Sequence, residues 1–550
     1  MSCLSMLLVF CLTLFTQLPA QPAFEAFPLS RVRLMPGILK DAESRDRTYL
    51  LSLDPDRLLA PFREEAGLSP RKPPYGNWEG SGLGGHTAGH YLSALAMMYA
   101  STGDTLLRDR LHYMIDELAL CQAESADGYV GGVPDGAALW ADVAAGRIDA
   151  GSFSLNGKWV PWYNLHKLFA GLRDAYLHAG SEQALDMLVK LSDWALGVTD
   201  DLTDEQMQEM LRAEHGGMNE VLADLAAITG EDKYMQLARR FSDERILRPL
   251  EEDRDALTGL HANTQIPKVI GYARIGELAG LPDWWEAARF FWQTVVEHRT
   301  VAIGGNSVRE HFHATDDFSS MIEEVQGPET CNTYNMLRLS KILYLRSGQL
   351  PYIDYYERAL YNHILSSQHP KHGGLVYFTP MRPGHYRVYS QPEENFWCCV
   401  GSGMENHAKY GELIYAHGGA DTLAVNLFVP SQLNWEAQGV TVWQLTRFPE
   451  EETSRLYFEM TEPRAFTLLL RYPAWAPAGE LVLELNGEPV AVDASPGEYI
   501  TLDRTWAKGD EVALTMPMPN RVEMLPDGSA YGAILHGPIV LAAETSIDGL

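Results

Sequence analysis

Apolar residues recur at helical spacing from about residue 85 to 417. Stretches such as YLSALAMMYAS, LFAGLRDAYLH and MLRLSKILYLR carry them near positions i, i+3, i+4 and i+7, the pattern of helices with a buried face. Each stretch is followed by a small-residue turn and then by a second apolar stretch. A glycine in the turn is typical of a helix that ends in the left-handed conformation. The six turn glycines are Gly103, Gly180, Gly230, Gly280, Gly348 and Gly418.

Six helical hairpins of this kind predict a mainly α fold, an (α/α)6 barrel. Repeated hairpins stack either as an open solenoid or as a closed ring. The intervals between successive turn glycines are unequal, whereas an open array needs uniform repeats, so we expect a closed ring. Its long loops should gather at one mouth of the barrel and form a pocket there.

The pattern changes after about residue 421. Short alternating runs such as GVTVWQLTRF, RLYFEM and LVLELNGEPV are separated by Gly, Pro and acidic turns, as in an antiparallel β-domain. We therefore expect the barrel over residues 24–420 and a β-sandwich over residues 421–550. The last stretch carries no evident closing signal, so the sandwich is expected to be truncated at its C-terminus.

Residues 1–23 are predicted to be a signal peptide. The apolar run MSCLSMLLVFCLTLFTQLPA is followed by the small residues Ala20 and Ala23, although no basic residue precedes the run. We therefore expect the protein to be exported to the periplasm or the extracellular space. No later segment reaches the apolar length needed to span a bilayer.

The net charge narrows the range of partners. The chain carries 73 acidic and 43 basic residues, a formal charge of −30. Such a surface repels phosphate backbones and anionic membranes, which argues against nucleic-acid or lipid-surface binding. Neutral ligands such as sugars remain, and the oligomeric state is not predicted.

Two of the six cysteines are adjacent in the sequence. Cys398 and Cys399 precede a Gly-Ser-Gly segment that we expect to form a turn, and Cys121 lies in an apolar helical run that predicts a plain core residue. Adjacent cysteines rarely bond to each other because the required geometry is strained. They can instead form disulfides with other partners, pack as small apolar residues, or bind a soft metal.

A second pair of potential ligands favours the metal. Glu329 and Cys331 lie at the predicted entrance to the fifth hairpin, as Cys398 and Cys399 do at the sixth, and neighbouring entrances should face each other. Three thiolates and one carboxylate supply the four donors of a tetrahedral zinc site. Two alternatives remain open: buried free cysteines beside a helix-capping glutamate, and a structural zinc without catalysis.

Longer motifs resemble the bacterial β-L-arabinofuranosidases of glycoside hydrolase families 127 and 146, from about residue 27 into the β-region. The motifs are SVREHF, GPETCNTYNMLRL, ERALYNHIL, PMRPGHYRVYS and WCCVGSGMENHAKYGE. Four others, GGHTAGHYLSAL, LNGKWVPWYNLHK, EHGGMNEVLADL and GLHANTQIPKVIGY, look more like family 146. The resemblance implies an (α/α)6 barrel with β-sandwich domains, a Zn²⁺ held by three cysteines and a glutamate, and retaining hydrolysis through a cysteine nucleophile.

Carried over to this chain, the resemblance assigns individual residues. The zinc ligands become Glu329, Cys331, Cys398 and Cys399, and Cys398 is also the nucleophile. Glu310 in SVREHF takes the general acid/base position, and we expect its pKa to be raised. Because the sequence interval between Glu310 and Glu329 is longer than the corresponding interval in family 127, Glu323 and Glu324 are fallback candidates for the acid. The predicted substrate-binding residues are His166, His215, His261 and Glu357, the last of which matches a family carboxylate that contacts the substrate or supports the nucleophile.

Each substrate-binding prediction has a plainer alternative. Any one of the three histidines is often a hydrogen-bonded structural residue, and Glu357 is equally typical of a surface ion pair. His86 and His90 are four residues apart, as in H-E-x-x-H zinc helices, but the glutamate of that motif is missing between them. We expect these two histidines to line the barrel mouth or to pack structurally.

The leading hypothesis is an exported glycosidase that releases L-arabinofuranose from oligo- or polysaccharides. A hydrolase or lyase for uronic-acid sugars on the same barrel is a second hypothesis. The third is a carbohydrate-binding protein with a structural zinc, which binds sugar without turning it over.

Overall fold

A computed structural model describes residues 24–544 of the chain. The predicted signal peptide at 1–23 lies outside the described residues. Within residues 24–544, no helix combines the length and the apolar character needed to cross a membrane. The α-helices are α1 (Ile38–Ser52), α2 (Pro55–Glu65), α3 (His86–Thr102), α4 (Thr105–Ala123), α5 (Gly136–Ala144), α6 (Pro161–Ala179), α7 (Glu182–Thr199), α8 (Asp204–Met210), α9 (Met218–Thr229), α10 (Asp232–Arg240), α11 (Glu244–Glu251), α12 (Ala262–Leu278), α13 (Pro282–His298), α14 (Ser319–Glu323), α15 (Thr330–Ser347), α16 (Pro351–Ala359) and α17 (Cys398–Ala408).

Six of these helices form the inner ring of an (α/α)6 barrel. Helices α3, α6, α9, α12, α15 and α17 pack side by side in that order, and α17 packs against α3 to close the ring. The inner helices are buried around most of their circumference, as expected for helices that have neighbours on every side. The predicted barrel is confirmed.

The outer ring is built mostly from the second helix of each hairpin. Helices α4, α7, α10, α13 and α16 each pack on the inner helix that precedes them. The sixth outer position is taken by α1, which packs on α17 and α3 and comes from the N-terminal part of the chain.

Five of the six turn glycines lie where the pattern predicts them, and one does not. Gly103, Gly180, Gly230 and Gly348 follow helix ends with φ between 68° and 75°, and Gly280 has φ 65° just after α12. Gly418 instead ends a β-strand. The sixth hairpin needs no second helix there because α1 already covers α17.

The Gly-Ser-Gly segment after the cysteines is helical, not a turn. Gly401 and Gly403 lie inside α17. A Cβ on Gly401 would stand 2.2 Å from His90 Cδ2, and one on Gly403 would stand 2.5 Å from Leu375 Cδ1. These glycines therefore permit α17 to approach its neighbours closely.

The strands form two larger sheets and two small ones. They are β1 (Glu25–Ala26), β2 (Val32–Leu34), β3 (Ala150–Gly151), β4 (Ser154–Leu155), β5 (Lys158–Trp159), β6 (Tyr415–Gly418), β7 (Thr422–Val425), β8 (Ser431–Trp435), β9 (Val440–Thr446), β10 (Thr453–Met460), β11 (Arg464–Arg471), β12 (Val482–Leu485), β13 (Glu488–Val490), β14 (Tyr499–Trp506), β15 (Glu511–Thr515), β16 (Asn520–Met524), β17 (Gly532–His536) and β18 (Ile539–Val540).

The two larger sheets pack as the predicted β-sandwich. One has the order β1-β6-β7-β11-β14 and the other β13-β12-β15-β10-β9-β8-β2. The aromatic rings of Trp435, Phe458, Phe466 and Trp506 pack against one another in the core between them. The sandwich differs from the predicted boundary at 421, because β6 begins at Tyr415 and the edge strands β1 and β2 come from the N-terminal residues.

Candidate active site and metal centre

Four potential metal ligands converge at the N-termini of two neighbouring inner helices. Cys398 and Cys399 are the first residues of α17, Cys331 is the second residue of α15, and Glu329 is the N-cap of α15. Glu329 forms no side-chain capping bond to its own helix, so its carboxylate is free to turn toward the cysteines. Helix N-termini favour negative charge and lower thiol pKa values, which suits thiolate ligands.

The ligand atoms lie within the reach of a single ion. One donor atom from each of the four residues is within 4.8 Å of the other three. Glu329 Oε1 is 3.7 Å from Cys399 Sγ, and the sulfurs of Cys398 and Cys399 are 3.9 Å apart. That separation is far beyond the roughly 2.05 Å of a disulfide, and all four described cysteines are free. The second carboxylate oxygen of Glu329 is buried without a hydrogen-bond partner.

The protonation behaviour of this cluster fits a metal-binding site. Burial, followed by the charge of Cys398, raises the pKa of Glu329 well above its usual value. Hydrogen bonding to Cys331 raises the pKa of Cys398, and burial raises that of Cys399. The pKa of Cys331 is lowered to about 7, because the bonds from Cys398 and Cys399 outweigh burial. Three of the four buried acids thus resist ionisation beside the fourth, and a soft divalent metal ion would stabilise all four charges.

A cavity of about 250 Å³ opens above Cys398. It is smaller than the roughly 300–1,000 Å³ pockets that hold drug-sized ligands, a size that suits a small molecule. Its lining residues are Trp78, Leu83, Phe153, Trp159, Val160, Tyr163, Glu214, His261, Asn263, Glu310, Tyr377 and Cys398.

Glu310 is held in this cavity by an unusual backbone. Its φ is 68° and that of Arg309 is 46°, left-handed values that cost about 1–3 kcal/mol at a non-glycine residue. The Glu310 carbonyl accepts a hydrogen bond of 2.7 Å from the Ala262 N–H, which anchors the segment to the start of α12. Strain of this kind is typical of functional sites, because the surrounding structure must hold the residue in place.

Two partners contact the Glu310 carboxylate. The Tyr377 hydroxyl donates to Oε1, and His261 Nε2 lies 3.6 Å from Oε2. The close approach of His261, together with the hydrogen bond from Tyr377, lowers the pKa of Glu310 against the opposing effect of burial. The pKa was expected to be raised; it is lowered because both partners stabilise the ionised carboxylate. In turn, Glu310 and Glu214 raise the pKa of His261 despite its burial.

Glu310 also adjoins the cysteine cluster. One oxygen of Glu310, one oxygen of Glu329 and one nitrogen of His261 lie within 4.8 Å of one another. The fallback candidates are elsewhere: Glu323 is exposed, and Glu324 pairs with Arg309 at 2.6 Å. The cavity is therefore lined both by the Cys398 thiol and by the Glu310 carboxylate, a potential nucleophile and a potential proton donor.

Comparison with models of known protein families shows to which family the chain belongs. The model of the β-L-arabinofuranosidase GH127 catalytic domain matches residues 31–412, and that of the GH127 middle domain matches residues 422–518. The chain belongs to the GH127 β-L-arabinofuranosidase family. It is therefore a glycoside hydrolase with the catalytic and middle domains of that family.

Solved structures of GH127 enzymes share this fold. A GH127 β-L-arabinofuranosidase from Geobacillus stearothermophilus T6, Ara127N-Se, superposes with a TM-score of 0.73 at 21% identity, covering 92% of this chain and 86% of that one. The GH127 β-arabinofuranosidase BT3674 gives 0.75 at 20% identity, covering 95% and 86%. A comparison with curated protein sequences finds no significant match. The comparisons give no support for a particular closeness to family 146, which stays a prediction.

Among the predicted substrate-binding histidines of this GH127 hydrolase, His261 lines the cavity and two others lie behind it. His166 is buried beneath Gly216 and Gly217, and neither of its ring nitrogens has a hydrogen-bond partner. His215 donates from Nδ1 to the Ala213 carbonyl at 3.1 Å, and burial lowers its pKa to about 3.

Residues close in sequence to these two histidines line the cavity in their place. Tyr163 lies one helical turn before His166 on α6, and Glu214 directly precedes His215. Glu214 is nine-tenths buried, and burial raises its pKa. The E-H-G-G motif places both an acid and an imidazole at the site, but sequence cannot decide which of two adjacent residues faces the cavity.

Glu357 is remote from the cavity of the GH127 hydrolase. It is fully buried on α16, where it pairs with Arg471 of β11 and accepts a 2.8 Å hydrogen bond from Trp475 Nε1. Both of its carboxylate oxygens are taken by partners on the sandwich, so the structure does not bring Glu357 to the cavity with the other predicted substrate-binding residues. The plainer alternative of an ion pair describes it better, although the pair is buried and not at the surface.

His86 and His90 link α3 by hydrogen bonds to α17, the helix that begins with Cys398 and Cys399, and to the residues just before it. His86 Nε2 bonds to the Phe396 carbonyl at 3.1 Å, and His90 Nδ1 bonds to Glu405 of α17. Both side chains are buried. They hold α17, and hence its thiols, against the inner ring.

Proposed function

We propose that this GH127 hydrolase is an exported, exo-acting and retaining β-L-arabinofuranosidase with a zinc-bound cysteine nucleophile. One observation carries the proposal: Cys398 belongs both to the four-donor cluster and to the lining of the cavity that Glu310 enters. The names of the GH127 structures that share its fold support the choice of substrate.

The metal in this proposal is Zn²⁺, held by Glu329, Cys331, Cys398 and Cys399. Three thiolates with one carboxylate match the donors and coordination number that zinc prefers, and hard cations such as Mg²⁺ prefer oxygen ligands. When bound, zinc would hold the thiols ionised near neutral pH and compensate the buried negative charge.

Catalysis then takes two steps. In the first, Cys398 Sγ attacks the anomeric carbon, the bond to the leaving oxygen breaks, and Glu310 gives that oxygen its proton. In the second, Glu310 removes a proton from water, whose oxygen displaces the sulfur, so the thiolate is restored. Two inversions give net retention of configuration. Because the pKa of His261 is raised, this imidazole keeps a proton next to the Glu310 carboxylate. Glu310 takes up that proton and passes it to the leaving oxygen in the first step.

The cavity lining supports recognition of a single terminal sugar. Glu214, His261 and Asn263 present polar groups to the interior, while Trp78 and Trp159 pack edge to face with ring centroids 5.2 Å apart. A pocket of about 250 Å³ suits one pentose unit, which favours release from a chain end. Export rests on the sequence of residues 1–23 alone.

The test is a turnover assay with product analysis. The purified protein should hydrolyse p-nitrophenyl β-L-arabinofuranoside, and proton NMR should detect β-L-arabinofuranose as the first product. Cys398→Ser should abolish turnover, whereas the matched variant Cys121→Ser, in a buried helix position, should retain it. An α-configured first product, full activity of Cys398→Ser, or an unsaturated product absorbing in the ultraviolet would contradict the proposal.

A further inference from the structure

We propose that Phe153 is a stacking platform for the first ring of the aglycone, the part of the substrate that leaves with the proton from Glu310. The inference rests on the proposed function, since it takes Cys398 as nucleophile and Glu310 as acid/base. It adds the chemical class of the leaving group: a unit with an apolar ring face, either a sugar ring or an aryl group.

The exposure of the lining residues defines the mouth of the cavity. Cys398 is 7% exposed and the neighbouring Leu83 is buried, whereas Phe153, which lines the same cavity, is 41% exposed. A sugar whose anomeric carbon faces Cys398 fills the buried end. The remainder of the substrate must leave through the open end, where Phe153 lies.

Glu310 identifies the side of the mouth that the aglycone occupies. In retaining hydrolysis the nucleophile and the leaving group are on opposite faces of the anomeric carbon, and the acid contacts the leaving oxygen. Phe153 adjoins this acid through His261: the rings of Phe153 and His261 are 5.2 Å apart at 72°, and His261 Nε2 is 3.6 Å from Glu310 Oε2. Phe153 therefore borders the space next to the leaving oxygen.

The turn that carries Phe153 is braced by its neighbours. Ser152 and Phe153 are the two residues between β3 and β4. The Ser152 carbonyl accepts a 3.0 Å hydrogen bond from the Glu214 N–H, and the Phe153 carbonyl accepts one of 3.2 Å from the Val160 N–H. Preorganised aromatic side chains at a pocket mouth lose little conformational entropy on binding, as a platform requires.

The exposed ring of Phe153 offers apolar area at the cavity mouth. Within residues 24–544, Phe153 is the only phenylalanine among the exposed large hydrophobic side chains. Its ring packs edge to face on His261, and the residue lines the cavity while 41% of it stays exposed. A ring face of the aglycone would cover apolar area that the folded protein leaves exposed.

The test compares aglycones that have a ring with one that has none. Values of kcat/KM are measured for the unchanged enzyme, Phe153→Ala and Phe153→Tyr on methyl β-L-arabinofuranoside, the phenyl glycoside, and a disaccharide with a terminal β-L-arabinofuranose. Phe153→Ala should lower kcat/KM about two- to twelvefold for the ring aglycones, the range of an aromatic contact, and less than about twofold for the methyl glycoside. Phe153→Tyr should retain both activities.

The controls separate this contact from recognition of the arabinose itself. Inhibition by free L-arabinose should be the same for Phe153→Ala and the unchanged enzyme, and Leu106→Ala, at an exposed apolar position on α4, should leave all three substrates unaffected. A loss confined to the phenyl glycoside or to the disaccharide supports the platform and identifies which ring it serves. An equal loss on the methyl glycoside, or no loss on any substrate, would overturn the platform but not the hydrolase. If the unchanged enzyme hydrolyses none of the glycosides, the proposed function and this inference both fail.

Discussion

Cys398 Sγ lies 3.8 Å from Glu329 Oε1, although the two residues are far apart in the sequence and start on different helices. Closure of the inner ring brings α15 and α17 together, and their N-termini point to the same end of the barrel. The same sulfur lines the cavity, so one atom is shared between the metal centre and the substrate pocket.

Loss of the carboxylate ligand should weaken metal binding. Glu329→Ala removes one of four donors and leaves three buried thiols. Loss of a group that only supports a ligand already lowers metal affinity about 10- to 100-fold, so we expect loss of a ligand itself to lower zinc affinity at least about tenfold. Competition with a chromophoric chelator measures the affinity. Glu323→Ala, at an exposed position of α14, is the matched control. An unchanged affinity in Glu329→Ala would show that the cluster is not the metal site.

Substitution of the acid/base should slow turnover but leave the metal in place. Glu310→Gln removes the proton donor, and loss of general acid/base catalysis lowers kcat by about 10²–10⁴-fold. Zinc content, measured by atomic emission, should not change because Glu310 is outside the four-donor cluster. Glu324→Gln should keep activity within about twofold. The reverse result, with Glu324→Gln inactive and Glu310→Gln active, would reassign the acid.

The two partners of Glu310 should shift the pH profile in opposite directions. Tyr377 donates to the ionised carboxylate, so Tyr377→Phe raises the pKa of Glu310, and the basic limb of kcat/KM should move to higher pH. In the unchanged enzyme the shared proton is held by His261, whose pKa is raised, so the basic limb reports the loss of that proton. In His261→Asn only the Glu310 carboxyl can hold it, and because a carboxyl loses its proton at lower pH than this imidazole, the limb should move to lower pH. Profiles recorded with one aryl substrate test both shifts, and movement in the same direction would refute the proton-sharing pair.

Glu357→Gln should change stability and not substrate binding. Arg471 and Glu357 are both fully buried, and removal of one charge from a buried ion pair costs about 3–5 kcal/mol. Urea denaturation should show this loss, while KM stays within about twofold. A raised KM with unchanged stability would restore the substrate-binding role that the motif predicts.

The sequence predicts those features that depend on local patterns. Helical periodicity and glycine caps identify most of the hairpins. A glycine such as Gly103 or Gly348 ends its helix by adopting the left-handed backbone conformation, which depends on that residue alone. Gly418 misleads because the outer position of the sixth hairpin is filled by α1, from the opposite end of the chain. Gly401 and Gly403 resemble a turn, yet contacts with His90 and Leu375 on other elements are what require them.

The candidate site is predictable in its chemistry more than in its geometry. Three cysteines and a glutamate stand out because their residue types are rare together, whereas Tyr377 lies in an irregular loop without periodicity. Glu214 and His215 are adjacent, and only the fold decides which of them faces the cavity. The contact of Glu357 with Arg471 joins two domains, and no local pattern contains that information.

Trapping the covalent intermediate tests the central claim most directly. Glu310→Gln slows the second step more than the first when the leaving group is good, so mixing it with 2,4-dinitrophenyl β-L-arabinofuranoside should accumulate a pentosyl adduct. Mass spectrometry of the digested protein should locate that adduct on Cys398. An adduct on any other residue, including Cys399, would contradict the assignment of Cys398 as the nucleophile.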